Sequence, residues 1–169
     1  SDSILKDAFI GFRSYGSLNE SRDNVIVFPT WYTGLNNQVE PYIGPGKALD
    51  PNKYFIVIPD MFTNGSSTSP SNAQDIHKGL NFPLVTPFDN VRAQRRLLEE
   101  NFGITSVELM VGFSMSGQQA YHWAALHSDL LKRACSICGT SKTSPHNWAM
   151  LHAYKASMET SQDWPAKSC

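Results

Sequence analysis

The chain has 169 residues, 41% hydrophobic and 17% charged, with a formal net charge of −1. That length supports one domain with a buried core and is too short for two ordinary ones, while near-neutral charge with scattered lysines and arginines excludes the basic footprint needed for nucleic acid or an anionic membrane. No stretch approaches the ~20 apolar residues of a membrane span, and the amino end, Ser1 to Lys6, lacks a signal peptide's apolar centre, so the expected setting is cytoplasmic.

In chain order, residues 8–15 alternate weakly, as an early strand would, and residues 24–29 read as a second, buried strand. The loop after it holds Trp31-Tyr32-Thr33-Gly34. Tyr42-Ile43-Gly44-Pro45-Gly46-Lys47 imitates a phosphate loop, but Pro41 stands where the first glycine is needed and Ala48 where a hydroxyl should follow the lysine, so it reads as a turn. Residues 53–59 form a third strand. Residues 64–72 follow it directly and are rich in Ser, Thr, Gly and Pro, a loop at the strand end where functional loops of such sheets lie. Thr86-Pro87-Phe88-Asp89 carries a hydroxyl cap, a first-position proline and a first-turn acid, predicting a helix over residues 87–102 that Gly103 closes.

A fourth strand is expected over residues 107–113 and a fifth over 133–138, with a helix from Gly117 to Ala124 between them. On that helix Gly117, Ala120 and Ala124 make a strip of small residues for close packing, and Tyr121 and Trp123 read as core or rim. Cys135 and Cys138 form a CxxC inside an apolar run and are expected to be buried strand thiols; with three cysteines and no paired histidines at ligand spacing, neither a disulfide framework nor a metal site is expected. Ser144-Pro145 repeats the cap-and-proline device before a last helix reaching residue 156 or beyond. Strands alternating with helices predict an α/β domain with a mostly parallel sheet covered on both faces.

The most informative stretch is Val111-Gly112-Phe113-Ser114-Met115-Ser116-Gly117, where small residues flank one serine at a strand-to-helix junction. A serine there is held on a sharp turn that lifts its hydroxyl out of the sheet, and residues two before and two after it must be small. The plainer alternative is an ordinary N-cap. Acyl transfer needs a base for the hydroxyl and donors for the oxyanion. The donors expected are the backbone N–H groups of Met115 and of Tyr32, with Trp31 next.

A base is harder to place. His122 and His127 ride the helix leading away from the serine, and His152 lies within the last helix. His146, in a loop or first turn at the end of a neighbouring strand, is the histidine placed to line a pocket. Asp129 and Asp163 have no evident route to an imidazole.

Taken together, Tyr15-Gly16-Ser17-Leu18-Asn19, Gly44-Pro45-Gly46-Lys47-Ala48, Ser67-Thr68-Ser69-Pro70-Ser71, Val91-Arg92-Ala93-Gln94 and Gly112-Phe113-Ser114-Met115 resemble, in order, the homoserine O-acetyltransferase family of α/β-hydrolases. The resemblance implies Ser114 as nucleophile in a ping-pong reaction, taking an acetyl group from acetyl-CoA, a substrate and not a bound cofactor, and passing it to a hydroxyl acceptor. Phe113 and Ser116 stand where the family's acetyltransferases carry glycine, and Trp31 and Tyr32 where they carry smaller residues. These differences resemble the family's hydrolase-like branch and imply reshaped acyl and acceptor pockets, so Trp31 and Phe113, with His146 from its position at the strand end, are the residues expected at the substrate. The family's acid and histidine lie past the region of Trp164, beyond a helical lid starting near His146. Residues 1–169 are therefore expected to form a single, incomplete α/β-hydrolase core without the later strands and most of the lid. An esterase using water as acceptor and a noncatalytic fragment or interaction module are the alternatives. The fifth strand, left as an apolar edge, is expected to promote self-association.

Overall fold

A computed structural model describes residues 4–161. Its sheet has five strands in the order β1-β3-β2-β4-β5, namely β1 Phe12–Tyr15, β2 Val25–Val27, β3 Phe55–Pro59, β4 Leu109–Phe113 and β5 Ala134–Ile137. β1 runs antiparallel to β3 and every other pairing is parallel. The helices are α1 Pro87–Phe102, α2 Met115–Leu126 and α3 Pro145–Glu159.

Alternation along the buried strands divides the core in two. Val25, Val27, Val57 and Met110 face α1 and α2, where they meet Val91, Leu98, Ala120 and Trp123. Ile26, Phe28, Ile56, Ile58 and Val111 face the other way, toward Val39 and Leu49 around a 3-10 helix at Asn36–Tyr42. α1 and α2 thus cover one face of the mostly parallel sheet, while the 3-10 helix covers the other over β1 and β3 and leaves that face of β5 open.

α1 spans the expected residues. Thr86 Oγ1 accepts from the Asp89 N–H while the Asp89 carboxylate accepts from the Thr86 N–H, and Gly103 takes the left-handed conformation that ends the helix. The first strand is shorter than expected because residues 9 and 11 bond to the loop instead. Phe9 N–H donates to Thr68 Oγ1 and Gly11 N–H to Ser67 Oγ. Gly44 to Ala48 is a turn, with the Lys47 ammonium donating to the Pro41 carbonyl.

Two expectations are corrected. Cys135 and Cys138 are exposed, not buried, because β5 is the outer strand and one of its faces is uncovered. Ala124 is also exposed; Trp123, fully buried, continues the inward face after Gly117 and Ala120. No helix among the described residues is long and apolar enough to cross a membrane.

Candidate active site

Ser114 sits between β4 and α2 with φ 56° and ψ −119°, a conformation that a side-chain-bearing residue adopts only under strain. Its side chain makes no capping bond, so the ordinary N-cap alternative fails. The Ser114 N–H donates to the Ile137 carbonyl at 2.9 Å, tying the turn to the end of β5, and the residue is solvent-exposed.

The turn is crowded in the way its sequence suggests. A Cβ at Gly112 would lie 2.2 Å from the Ser116 carbonyl oxygen, and one at Gly117 would lie 2.7 Å from Ser136 Oγ. Gly112 therefore cannot carry a side chain without moving backbone, whereas at Gly117 the nearest atom belongs to a rotatable hydroxyl and the nearest backbone is 3.1 Å away. Ser116 is accommodated because its hydroxyl points inward, is fully buried, and donates to the Pro29 carbonyl at 2.5 Å. No local sequence signal announces that bond, which joins residues 87 apart.

Met115 is the first residue of α2, so its N–H has no partner within the helix. Across from the turn, the loop after β2 carries Trp31 and Tyr32. Tyr32 is 64% exposed, whereas the Trp31 ring packs edge-on against Phe113 with centroids 6.0 Å apart. Trp31 and Phe113 also line an apolar cavity of about 560 Å³ with Phe28, Leu49, Val111 and Ile137, on the face of β4 and β5 opposite α2.

The histidines stand apart. His122 Nδ1 bonds the Gln118 carbonyl at 3.0 Å. His127 packs on Trp123 with Nδ1 2.9 Å from Arg95, and burial, followed by the Arg95 charge, pushes its pKa down. His146 is exposed in the first turn of α3, a helix with no buried residue, and His152 stacks on Trp148 of the same helix. Among the described residues, no hydrogen bond joins Ser114 Oγ to a histidine. Asp129 pairs with Arg95 at 3.4 Å; Asp163 and Trp164 lie outside the described residues.

The polar loop after β3 is committed to its own architecture. Asp60, fully buried, accepts from the Asn36 N–H at 2.9 Å, the Asn36 side chain at 2.5 Å, Asn64 at 3.0 Å and Ser66 at 2.7 Å. Ser67 Oγ donates to the Asp60 carbonyl and Ser69 Oγ to the Ser67 carbonyl, leaving these buried hydroxyls engaged in the fold. No group of three or more His, Cys, Asp or Glu among the described residues is arranged to hold a metal ion.

A family model described as the alpha/beta hydrolase fold matches residues 23–160. Ethyl acetate hydrolase of Pseudomonas veronii is 42% identical over 85% of this chain and 42% of its own length. A crystal structure of an acetylester hydrolase from Corynebacterium glutamicum superposes with a TM-score of 0.93 at 38% identity, over 96% of this chain and 47% of that one. Homoserine O-acetyltransferase of Methanosalsum zhilinae is 30% identical over 95% of this chain and 36% of its own length. The chain spans less than half the length of each of these relatives. A matched region covering most of the chain, with a superposition at TM-score 0.93, makes it a member of the alpha/beta hydrolase fold family.

Proposed function

We propose that Ser114 is the nucleophile of an esterase that cleaves small acyl esters, acetyl esters foremost. The observation that carries this reading is an exposed serine on a strained strand-to-helix turn, free of the capping bond that would give it a structural role. The choice of water over a hydroxyl acceptor rests on the relatives: those at 38–42% identity are named for ester hydrolysis, and the acetyltransferase stands at 30%. This reverses the order expected from the sequence motifs, in which transfer came first.

In the reaction, Ser114 Oγ attacks the ester carbonyl as a base removes its proton. The negative charge that develops on the carbonyl oxygen is held by backbone N–H groups of Met115 and of the loop carrying Trp31 and Tyr32. Collapse expels the alcohol, which takes the proton, and water then releases the acid and restores the serine. The rings of Trp31 and Phe113 crowd the approach and favour a short acyl group. The partners are a small-molecule acyl donor and an acceptor, with no nucleic acid or membrane involved. Among the described residues no histidine bonds Ser114 Oγ, and none is assigned as that base.

Two measurements on the longest natural form test this. An activated phosphonate should label Ser114, and the Ser114→Ala variant should lose both labelling and activity. Acetyl esters should yield free acetate without any added acceptor. Acetyl-CoA consumed only when a hydroxyl acceptor is present would instead establish transfer, and an unlabelled serine would leave the noncatalytic reading.

A further inference from the structure

The buried polar groups beside the serine turn form a connected chain that ends on the loop facing it. Trp123 Nε1 donates to Gln94 Oε1 at 2.8 Å, Gln94 Nε2 donates to Gln119 Oε1 at 2.5 Å, and Gln119 Nε2 donates to the Thr30 carbonyl at 3.2 Å. One residue earlier, the Pro29 carbonyl accepts from Ser116 Oγ. Trp123, Gln94, Gln119, Ser116 and Thr30 are all fully buried. Two glutamines in a hydrophobic core are costly unless satisfied, and here each bond leads to the next until it reaches backbone.

The consequence lies in the peptide planes. A trans peptide directs its N–H opposite to its C=O. Holding the Pro29 carbonyl toward Ser116 leaves the Thr30 N–H to donate to the Pro59 carbonyl at 3.0 Å, as observed. Holding the Thr30 carbonyl toward Gln119 turns the Trp31 N–H away from the core, and it makes no hydrogen bond among the described residues. Both clamps come from the first turns of α2, the helix that begins directly after Ser114.

We infer that Ser116 and Gln119, with Gln94 and Trp123 behind them, are positioning residues that lock the loop after β2 to the serine turn and so hold its unpartnered N–H groups, those of Trp31 and Tyr32, as the source of the second oxyanion donor beside Met115. This rests on the esterase reading for its catalytic meaning and on the hydrogen-bond chain alone for the orientation of Trp31. The Tyr32 N–H, one residue further, is also without a partner among the described residues, its peptide plane held by the Gly34 N–H donating to the Trp31 carbonyl at 2.9 Å. Ser116, which departs from the usual glycine, therefore supplies a contact that glycine could not.

The test compares the longest natural form with its Ser116→Ala and Gln119→Leu variants. Expected in both is a fall in kcat of roughly tenfold to a hundredfold, as for small misplacements of a reacting group, with KM for an acetyl ester little changed. Affinity for a trifluoromethyl ketone, whose adduct carries the oxyanion, should fall in parallel with kcat/KM. Gln119→Glu, neutral when protonated in so buried a site and then able to donate to Thr30, should recover activity at low pH relative to Gln119→Leu. Wild-type kcat and ketone affinity in folded variants, or a rise in KM that accounts for the whole loss, overturns the inference. Should Gln119→Leu fail to fold, Ser116→Ala carries the comparison. Should the wild type neither hydrolyse esters nor accept the phosphonate, the esterase reading fails, and amide exchange at Trp31 decides the rest. Faster exchange or a shifted amide resonance in Ser116→Ala supports the clamp, and an unchanged one refutes it.

Discussion

At the scale of single residues, the backbone at Ser114 carries a strain that its side chain does nothing to relieve. Conformations of this kind cost of order 1–3 kcal/mol for a residue with a Cβ, and glycine adopts them freely. Ser114→Gly should therefore raise the unfolding free energy by about 1 kcal/mol, read as a higher urea midpoint, while removing the proposed nucleophile. A loss of stability would mean that the hydroxyl or Cβ makes contacts that outweigh the strain. Asp60 presents the opposite case, a buried carboxylate whose oxygens gather bonds from Asn36, Asn64 and Ser66. Asp60→Ala would strand those donors in the interior, at about 3 kcal/mol or more. Its thermal midpoint should fall well below that of Ser66→Ala, which removes a single one of these bonds. The small-residue pattern about Ser114 was legible because backbone crowding acts within five residues. The buried Gln94–Gln119 pair was not, since its members are 25 residues apart and nothing local marks either as internal.

At the scale of elements, α1 was readable from end to end because its boundaries are chemical: a capping threonine, a proline, an aspartate and a terminal glycine. Strand ends were overextended because apolar runs continue past the last ladder bond. Val107, for example, forms an isolated bridge to Leu131 outside β4. The 3-10 helix at Asn36–Tyr42 went unrecognised since it contains Pro41, buries only Val39 and has no helical repeat. Where α2 meets α1, His127 makes stability depend on pH. Its Nε2 is buried without a partner, and around it stand Arg95 and Glu99 from α1 and Asp129 from the following turn. Burial first and the Arg95 charge second hold its folded pKa below the unfolded value of about 6.5, and the nearby acids only partly oppose this. Below that pH the unfolded chain binds a proton that the folded chain resists. Stability is thus fully present above about pH 6.5 and declines as pH falls toward the depressed folded value. Urea midpoints measured between pH 7.5 and 5.5 should decline, and His127→Phe, which keeps the ring contact with Trp123, should flatten the slope. An equal slope in the variant would assign the effect to other groups.

At the scale of the whole molecule, the sheet is well closed on the side of β1 and open on the side of β5. β1 is bracketed by the loop after β3 and by the Asn36–Tyr42 helix, whose Glu40 accepts from both Arg13 and Tyr15. Along β5, by contrast, Ala134, Cys135 and Ile137 are exposed, and the outer edge has no neighbouring strand among the described residues. The adjoining face holds the apolar cavity, and α3 stands clear with Trp148, Leu151, Tyr154 and Met158 exposed. An unpaired edge beside apolar surface invites pairing with another chain, and a net charge of −1 offers little repulsion against it. The 169-residue chain by itself should therefore elute in light-scattering chromatography at a mass above its 18.8 kDa monomer, in reducing buffer so that Cys135 and Cys138 form no cross-links. Ile137→Lys, placing a charge on the exposed edge strand, should shift the population toward monomer with its helix content intact. A monodisperse monomer of the unmodified chain, stable over days at tens of micromolar, would show that the edge is protected by means other than association.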